Sequence, residues 1–411
     1  MIDDLRRHAE ALAGDDRPVT LPEVQRPSVD SANNLSRRAV ATATLVVVLV
    51  AASLGAVGLV VRQQAHHRGR SGAAPATSVT TTLPTASACT DSTASPLDLP
   101  PKLSGAVIRW VRVHTACSPS GRELAAVAAL PDGVLVYGGQ SADGATGVAL
   151  GGTWLWTKGH WEEEHGAVHP PPLSGATMAY DPITKSVVLY GGSTNLITGS
   201  DATWVWSNGR WSQQVGVNPP DISSPALSAY SGVNRGIILF EANVSGGSGQ
   251  TWLWRAGDWR RLTVKSTPPV SLARMTADPS TGEPLLFTGG LDILPPPYEP
   301  AQSWIWTGSS WHRVSTPPNL RETAFFDTAY DPLLSGILLV GGAPIETNVA
   351  LTTAWLWRKG SWHELDEQGK PPANCNGALA FDAPSNDLLL FGGTSCTGML
   401  LGSSETWLAS T

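Results

Sequence analysis

Few residues in this chain combine a chemically useful side chain with a useful spacing. His165 and His169 share the segment HGAVHPPP, with Glu162, Glu163 and Glu164 just ahead of it. The donor types suit a metal, but the composition is that of a solvated acidic loop, and that reading is preferred. The four cysteines, Cys89, Cys117, Cys375 and Cys396, are widely spaced and form no Cys-x-x-Cys, which argues against zinc. There is no Gly-x-Ser-x-Gly, His-Glu-x-x-His or phosphate-binding glycine loop. The sequence therefore offers no catalytic residue, no metal site and no cofactor site. It does offer two opposite charges at matching places. Arg274 lies four residues before Asp278-Pro279, and Asp327 four before Asp331-Pro332. Such a pair can neutralise itself or hold a polar ligand. Asp292, Tyr298, Arg321 and Glu322 stand in neighbouring loop-like segments and complete the candidate ligand-binding set.

The elements that must position these residues are repeats. The first Trp of a Trp-x-Trp pair falls at Trp154, Trp204, Trp252, Trp304 and Trp355, with a lone counterpart at Trp407. The interval is about fifty residues each time, the scale of a repeat architecture. Five residues after each second Trp comes another: Trp161, Trp211, Trp259, Trp311 and Trp362, with a Gly between. Two Trp at i and i+2 share one face of a strand, and the Gly-bearing turn leads into the next strand. Upstream, apolar runs end in Gly-Gly, as in VLVYGG, VVLYGG, LLFTGG, ILLVGG and LLLFGG; the third repeat departs with IILFEA. Asp-Pro turns precede several of these runs, Asp holding the local backbone and Pro fixing φ. Each repeat thus predicts four antiparallel strands, a to d.

A strand closing on Gly-Gly and followed by spaced Trp around a tight turn resembles the kelch repeat and the propeller of the galactose oxidase family. The resemblance covers residues 107–411 and implies an all-β, six-bladed kelch-like β-propeller. The copper, His, Tyr and Cys-linked Tyr set of galactose oxidase-type enzymes is not supplied here. Closure follows from the pattern: the last repeat has three strands, while residues 106–114 carry Trp110 in the d-strand position, so the N-terminal strand completes the last blade. Aligning the innermost strands gives one row, Val127, Thr177, Leu227, Arg274, Asp327 and Ala378. The small residues Ala129, Ala179, Ala229, Ala277, Ala329 and Ala380 are expected to share its face. Cys375 precedes strand a of the sixth blade and Cys396 follows its strand b, so these two are expected to pair, leaving Cys89 for Cys117. Four cysteines nevertheless allow three pairings.

All seventeen Trp lie at or after Trp110, and residues 1–104 contain no aromatic residue. That stretch cannot bury enough apolar surface to offset its ordering entropy. Residues 39–61, from Ala39 to Val61, carry no charge and are long enough to cross a lipid bilayer as one transmembrane helix. Residues 1–38 then form a cytoplasmic stub, 62–104 an Ala/Thr/Ser/Pro-rich stalk, and 105–411 the propeller. The basic flanks do not decide orientation. The stalk composition and the placement of every Cys beyond the apolar run put the propeller outside the cytoplasm. The net charge is −7 and no basic patch is interleaved with aromatics, so no nucleic-acid partner is expected. The preferred function is a membrane-anchored, non-catalytic binding module for a protein or cell-surface glycan. The alternatives are an extracytoplasmic enzyme without the copper site and a transmembrane sensor whose stub holds a partner.

Overall fold

The computed structural model describes residues 107–141, 147–195, 199–216, 219, 226–241, 249–269, 273–289, 300–320, 323–344, 354–369, 371, 375–396 and 402–410. The stub, apolar run and stalk expected at 1–104 lie outside them. No helix among the described residues is long and apolar enough to cross a membrane.

The strands assemble in sequence order into antiparallel units. β2 (Ala126–Leu130), β3 (Gly133–Tyr137), β6 (Thr153–Thr157) and β7 (His160–Glu164) form one sheet, with β4 (Gln140–Ser141) and β5 (Val148–Ala149) as a small hairpin between its middle strands. β8 (Thr177–Asp181), β9 (Ser186–Tyr190), β10 (Thr203–Ser207) and β11 (Arg210–Gln214) form the second. β12 (Ala226–Ser231), β13 (Gly236–Glu241), β14 (Gln250–Arg255) and β15 (Asp258–Leu262) form the third. β16 (Ala273–Asp278), β17 (Glu283–Thr288), β18 (Ser303–Trp306) and β19 (Trp311–Val314) form the fourth.

The remaining strands depart from the expected separate blades. β20 (Thr323–Asp331), β21 (Gly336–Pro344), β22 (Ala354–Arg358) and β23 (Ser361–Gln368) share one eight-stranded sheet with β24 (Ala378–Asp382), β25 (Asp387–Phe391), β26 (Thr406–Ser410) and β1 (Val107–Val113). Its order is β20-β21-β22-β23-β1-β26-β25-β24. β1 pairs antiparallel with β26 and also parallel with the end of β23, Val107 facing Asp366 and Arg109 facing Gln368. The reason is length. β23 runs eight residues and β1 seven, where the outer strands β7, β11, β15 and β19 run four or five, so the two reach each other. Among the described residues, four four-stranded sheets therefore stand alone, and two four-stranded sets are fused along their outer strands.

Burial follows the pattern. The second strand of each set, such as β3, β9 and β25, is buried on both faces. Six apolar clusters fill the spaces between successive sets. In each, the Trp of one set cover the first and second strands of the set before it: Trp204, Trp206 and Trp211 on Ala126, Ala128, Leu135 and Tyr137, for example. The first strands β2, β8, β12, β16, β20 and β24 neighbour one another in a closed cycle. Small residues permit that approach, but the expected row needs correction. Ala126, not Val127, faces the last residue of its partner strand, and the small row is Ala128, Ala179, Ala229, Thr276, Ala329 and Ala380, without Ala129 or Ala277. The first set closes its turn in two residues, Leu130 facing Gly133, where the others use four; and alternation with period two selects Thr276 after Arg274. The five alanines of this row are each 5–6% exposed, whereas Ala129 is exposed.

Candidate functional site at the mouth of the ring

The end of the ring that receives the first strands carries an unusual backbone. Leu124, Gly175, Phe325 and Asn376 each lie two residues before the aligned row, and all have positive φ, between 54 and 69°. Left-handed backbone is uncommon for Leu and Phe. The amide of Asn376 donates to the carbonyl of Phe325, that of Leu124 to Asn376, and that of Gly175 to Leu124, each at 3.0 Å. Four successive units are thus stitched together by a hydrogen-bonded collar. Phe325 enters it from within β20, whose register runs unbroken on either side, Ala324 facing Ala343 and Phe326 facing Gly341.

Polar side chains follow the collar. Arg274 Nε stands 3.6 Å from Asp327 Oδ1, and Arg274 Nη2 donates to Asn376 Oδ1 at 3.3 Å. Arg274 belongs to the fourth set and Asn376 to the approach to the sixth, so the guanidinium reaches past the fifth. The Asp327 side chain is buried, while Arg274 remains 27% exposed. Asp327 Oδ2 also accepts the Gly377 amide at 2.8 Å. Asn376 Nδ2 in turn donates to Glu123 Oε2 at 3.4 Å, as does Thr394 Oγ1, and Gln140 Nε2 donates to Glu123 Oε1 at 2.9 Å. Ser174 Oγ then donates to Gln140 Oε1. One network runs from Arg274 through Asn376 and Glu123 to Ser174.

Burial raises the Asp327 carboxyl to about 7; Arg274 and the Gly377 amide act in the opposite sense. Burial also raises Glu123, against the hydrogen bonds from Gln140, Asn376 and Thr394. Next to it Arg122 is buried, donates to the carbonyls of Gly138 and Ser120, and is lowered to about 10 by desolvation. The arrangement can hold a proton or a polar ligand, with the Arg274 guanidinium partly open to water.

Of the sequence candidates, the structure brings Arg274 and Asp327 together. Asp292, Tyr298, Arg321 and Glu322 lie outside the described residues. Cys375 and Cys396 form a disulfide, which ties the approach to β24 to the segment after β25. Cys117 is disulfide-bonded, and its expected partner Cys89 lies outside the described residues. His165 Nε2 is 3.8 Å from Glu163 Oε2, and His169 Nδ1 is 2.8 Å from the Pro170 carbonyl. Among the described residues no three His, Cys, Asp or Glu cluster in a way that suits a metal.

Sequence reasoning missed Glu123, Gln140 and Asn376. A signal existed for the first: Glu123 takes the bridge position held elsewhere by Ser174 and Cys375. A second missed group is Glu241, in the IILFEA departure. It replaces the first Gly of the usual pair, accepts from Trp252 Nε1 at 3.2 Å, and is raised to about 7 by burial.

No protein-family model and no curated protein matches the chain. Among solved structures it is similar to that of YjhT, with a TM-score of 0.52 and 13% identity, over 72% of this chain and 96% of that one. At such low identity the likeness speaks for architecture alone, and with the ring of sheets described above it makes this domain an all-β propeller.

Proposed function

We propose that the protein is a membrane-anchored, extracytoplasmic binding module of kelch type, with a six-bladed ring that holds a protein or glycan ligand at its mouth. The six apolar clusters and the closed cycle of six first strands support the blade count. A propeller fold favours a binding role, because its rigid ring presents loops and first-strand ends around one opening. The observation that carries the reading is the partly open guanidinium of Arg274, fixed by Asp327 and Asn376. A charge held in place by buried partners binds without first having to be ordered. Residues 39–61 provide the anchor and 62–104 the stalk.

The test uses full-length protein in detergent, screened against glycan and cell-surface protein arrays. Wild type is compared with the double variant Arg274→Met, Asp327→Leu, which removes both charges together. Retained melting temperature with loss of the specific hits supports the site. Hits that survive the double variant place the ligand elsewhere and overturn it.

A further inference from the structure

The opposite end of the ring has its own pattern. It is formed by the turns between first and second strands and those between third and fourth. The two kinds touch there: Asn234 Nδ2 donates to the Gly308 carbonyl at 2.9 Å, and Thr157 Oγ1 to the Asp132 carbonyl at 3.1 Å. Three first-to-second turns expose an aliphatic residue at the same position, Ile183, Val233 and Leu333, at 50, 53 and 46%. Two of these turns end on an exposed cation, Lys185 and Arg235. The third-to-fourth turns add exposed Lys158, Arg210, Arg358 and Lys359. The exposed carboxylates on these turns are Asp132 and Asp258, and Asp258 faces Arg255 across its turn. Of the acids at the ends of the first strands, Asp181 and Asp331 are buried and accept turn amides, and Asp382 is buried, while Asp278 and the neighbouring Glu283 are half-buried on the fourth set's turn. A chain of net charge −7 thus presents one cationic face studded with aliphatic tips.

The chain also enters the ring on this side. β1 begins at Val107, and Arg109 faces Ser410 at the place where the other sets have their third-to-fourth turn. We infer that this face docks on a lipid bilayer bearing anionic headgroups, the aliphatic tips entering the interface and the Lys and Arg meeting the headgroups. Cations and apolar side chains on one surface are the combination that interfacial binding needs. The inference builds on the reading of residues 39–61 as an anchor, since 45 residues (62–106) separate that run from Val107 and tether this face near the same bilayer.

The experiment reconstitutes the full chain into vesicles of neutral phosphatidylcholine, or of phosphatidylcholine with about a third phosphatidylglycerol. A membrane-impermeant acylating reagent is added and its products are mapped by mass spectrometry. Lys158, Lys185 and Lys359 report this face; exposed Lys265, in the segment after β15, is the reference. Docking predicts modification of the three about fivefold slower on the anionic vesicles, Lys265 unchanged, and reversal by high salt or by Ile183→Ser with Arg235→Glu. Equal rates on both vesicle types, in protein that resists carbonate extraction, overturn the docking and leave the anchor reading standing. Extraction by carbonate together with slowed modification on anionic vesicles does the reverse. Protection by an acidic polypeptide but not by lipid also overturns the inference.

Discussion

At the scale of single residues, the outer-strand indoles explain an unremarked feature of the sequence. Trp161, Trp211, Trp259, Trp311 and Trp362 each donate to a hydroxyl of the preceding set: Thr406, Thr153, Thr203, Thr251 and Ser303. Each hydroxyl is the residue just before a Trp-x-Trp or its counterpart. In the one place where that residue is Ala354, the indole of Trp110 turns to Glu367 Oε1 at 2.9 Å. A buried indole N–H needs an acceptor, so Thr251→Val is expected to cost about 1–3 kcal/mol. Adding Trp311→Phe removes the orphaned donor. Denaturant melts of the two single variants and the double should therefore show a non-additive cycle.

The charged pair makes a pH prediction. Asp327 is ordinarily a group of pKa 3.8 and is raised to about 7 in the fold. Between those values the folded state holds more protons than the unfolded one, so stability falls as pH rises through that window. Glu241, also raised to about 7, acts in the same sense. The melting temperature should be higher near pH 5 than near pH 8, and Asp327→Asn should narrow the difference. Removing the cation instead, as in Arg274→Ala, leaves a buried carboxylate with one amide. The loss is about 3 kcal/mol near pH 8, the lower end for a buried pair because Arg274 is partly open to water, and smaller near pH 5.

At the scale of elements, the disulfide and the entry loops hold the mouth. The Cys375–Cys396 bond spans a sequence separation of 21. Opening it with Cys375→Ser and Cys396→Ser together should cost about 3 kcal/mol by loop-closure entropy, read from thermal melts without reductant. Elements of this kind were partly legible. The Trp spacing, the Gly-Gly runs and the Asp-Pro turns located every set, because side-chain alternation and turn chemistry are local. Arg274 and Asp327 were found for the same reason, lying at a fixed count from a turn. The count failed where the first set shortened its turn, which moved Val127 out of the row and Ala126 into it. Glu123 and Gln140 of the first set meet Asn376 of the sixth only once the ring brings its first and last sets together, and no local pattern links them. The extra pairing between β1 and β23 depends on how far one strand outruns its neighbours, a property of the assembled ring.

At the scale of the whole molecule, the ring is closed by a strand from the far end of the chain. β1 completes the hydrogen bonding of β26 from Arg109 to Val113. Deleting residues 107–113 from the full chain bares that edge and removes Trp110 from its cluster with Leu338, Leu356 and Leu388. The expected result is a lower melting temperature and concentration-dependent association, seen by light scattering; an unchanged monomer with the parental melt would refute the closing role.

The double pairing of β1 has a mechanical consequence. Whatever pulls on the chain ahead of residue 107 pulls first on this strand. Tension along its axis is shared by the bonds to β26 and, at its first three residues, to β23 as well, so the joint resists as a group rather than one bond at a time. Tension across the axis meets those bonds singly, beginning with the parallel trio. The closing strand is then a directional fuse: firm when the domain is drawn along β1, weak when it is peeled sideways, and its release opens the ring at one seam.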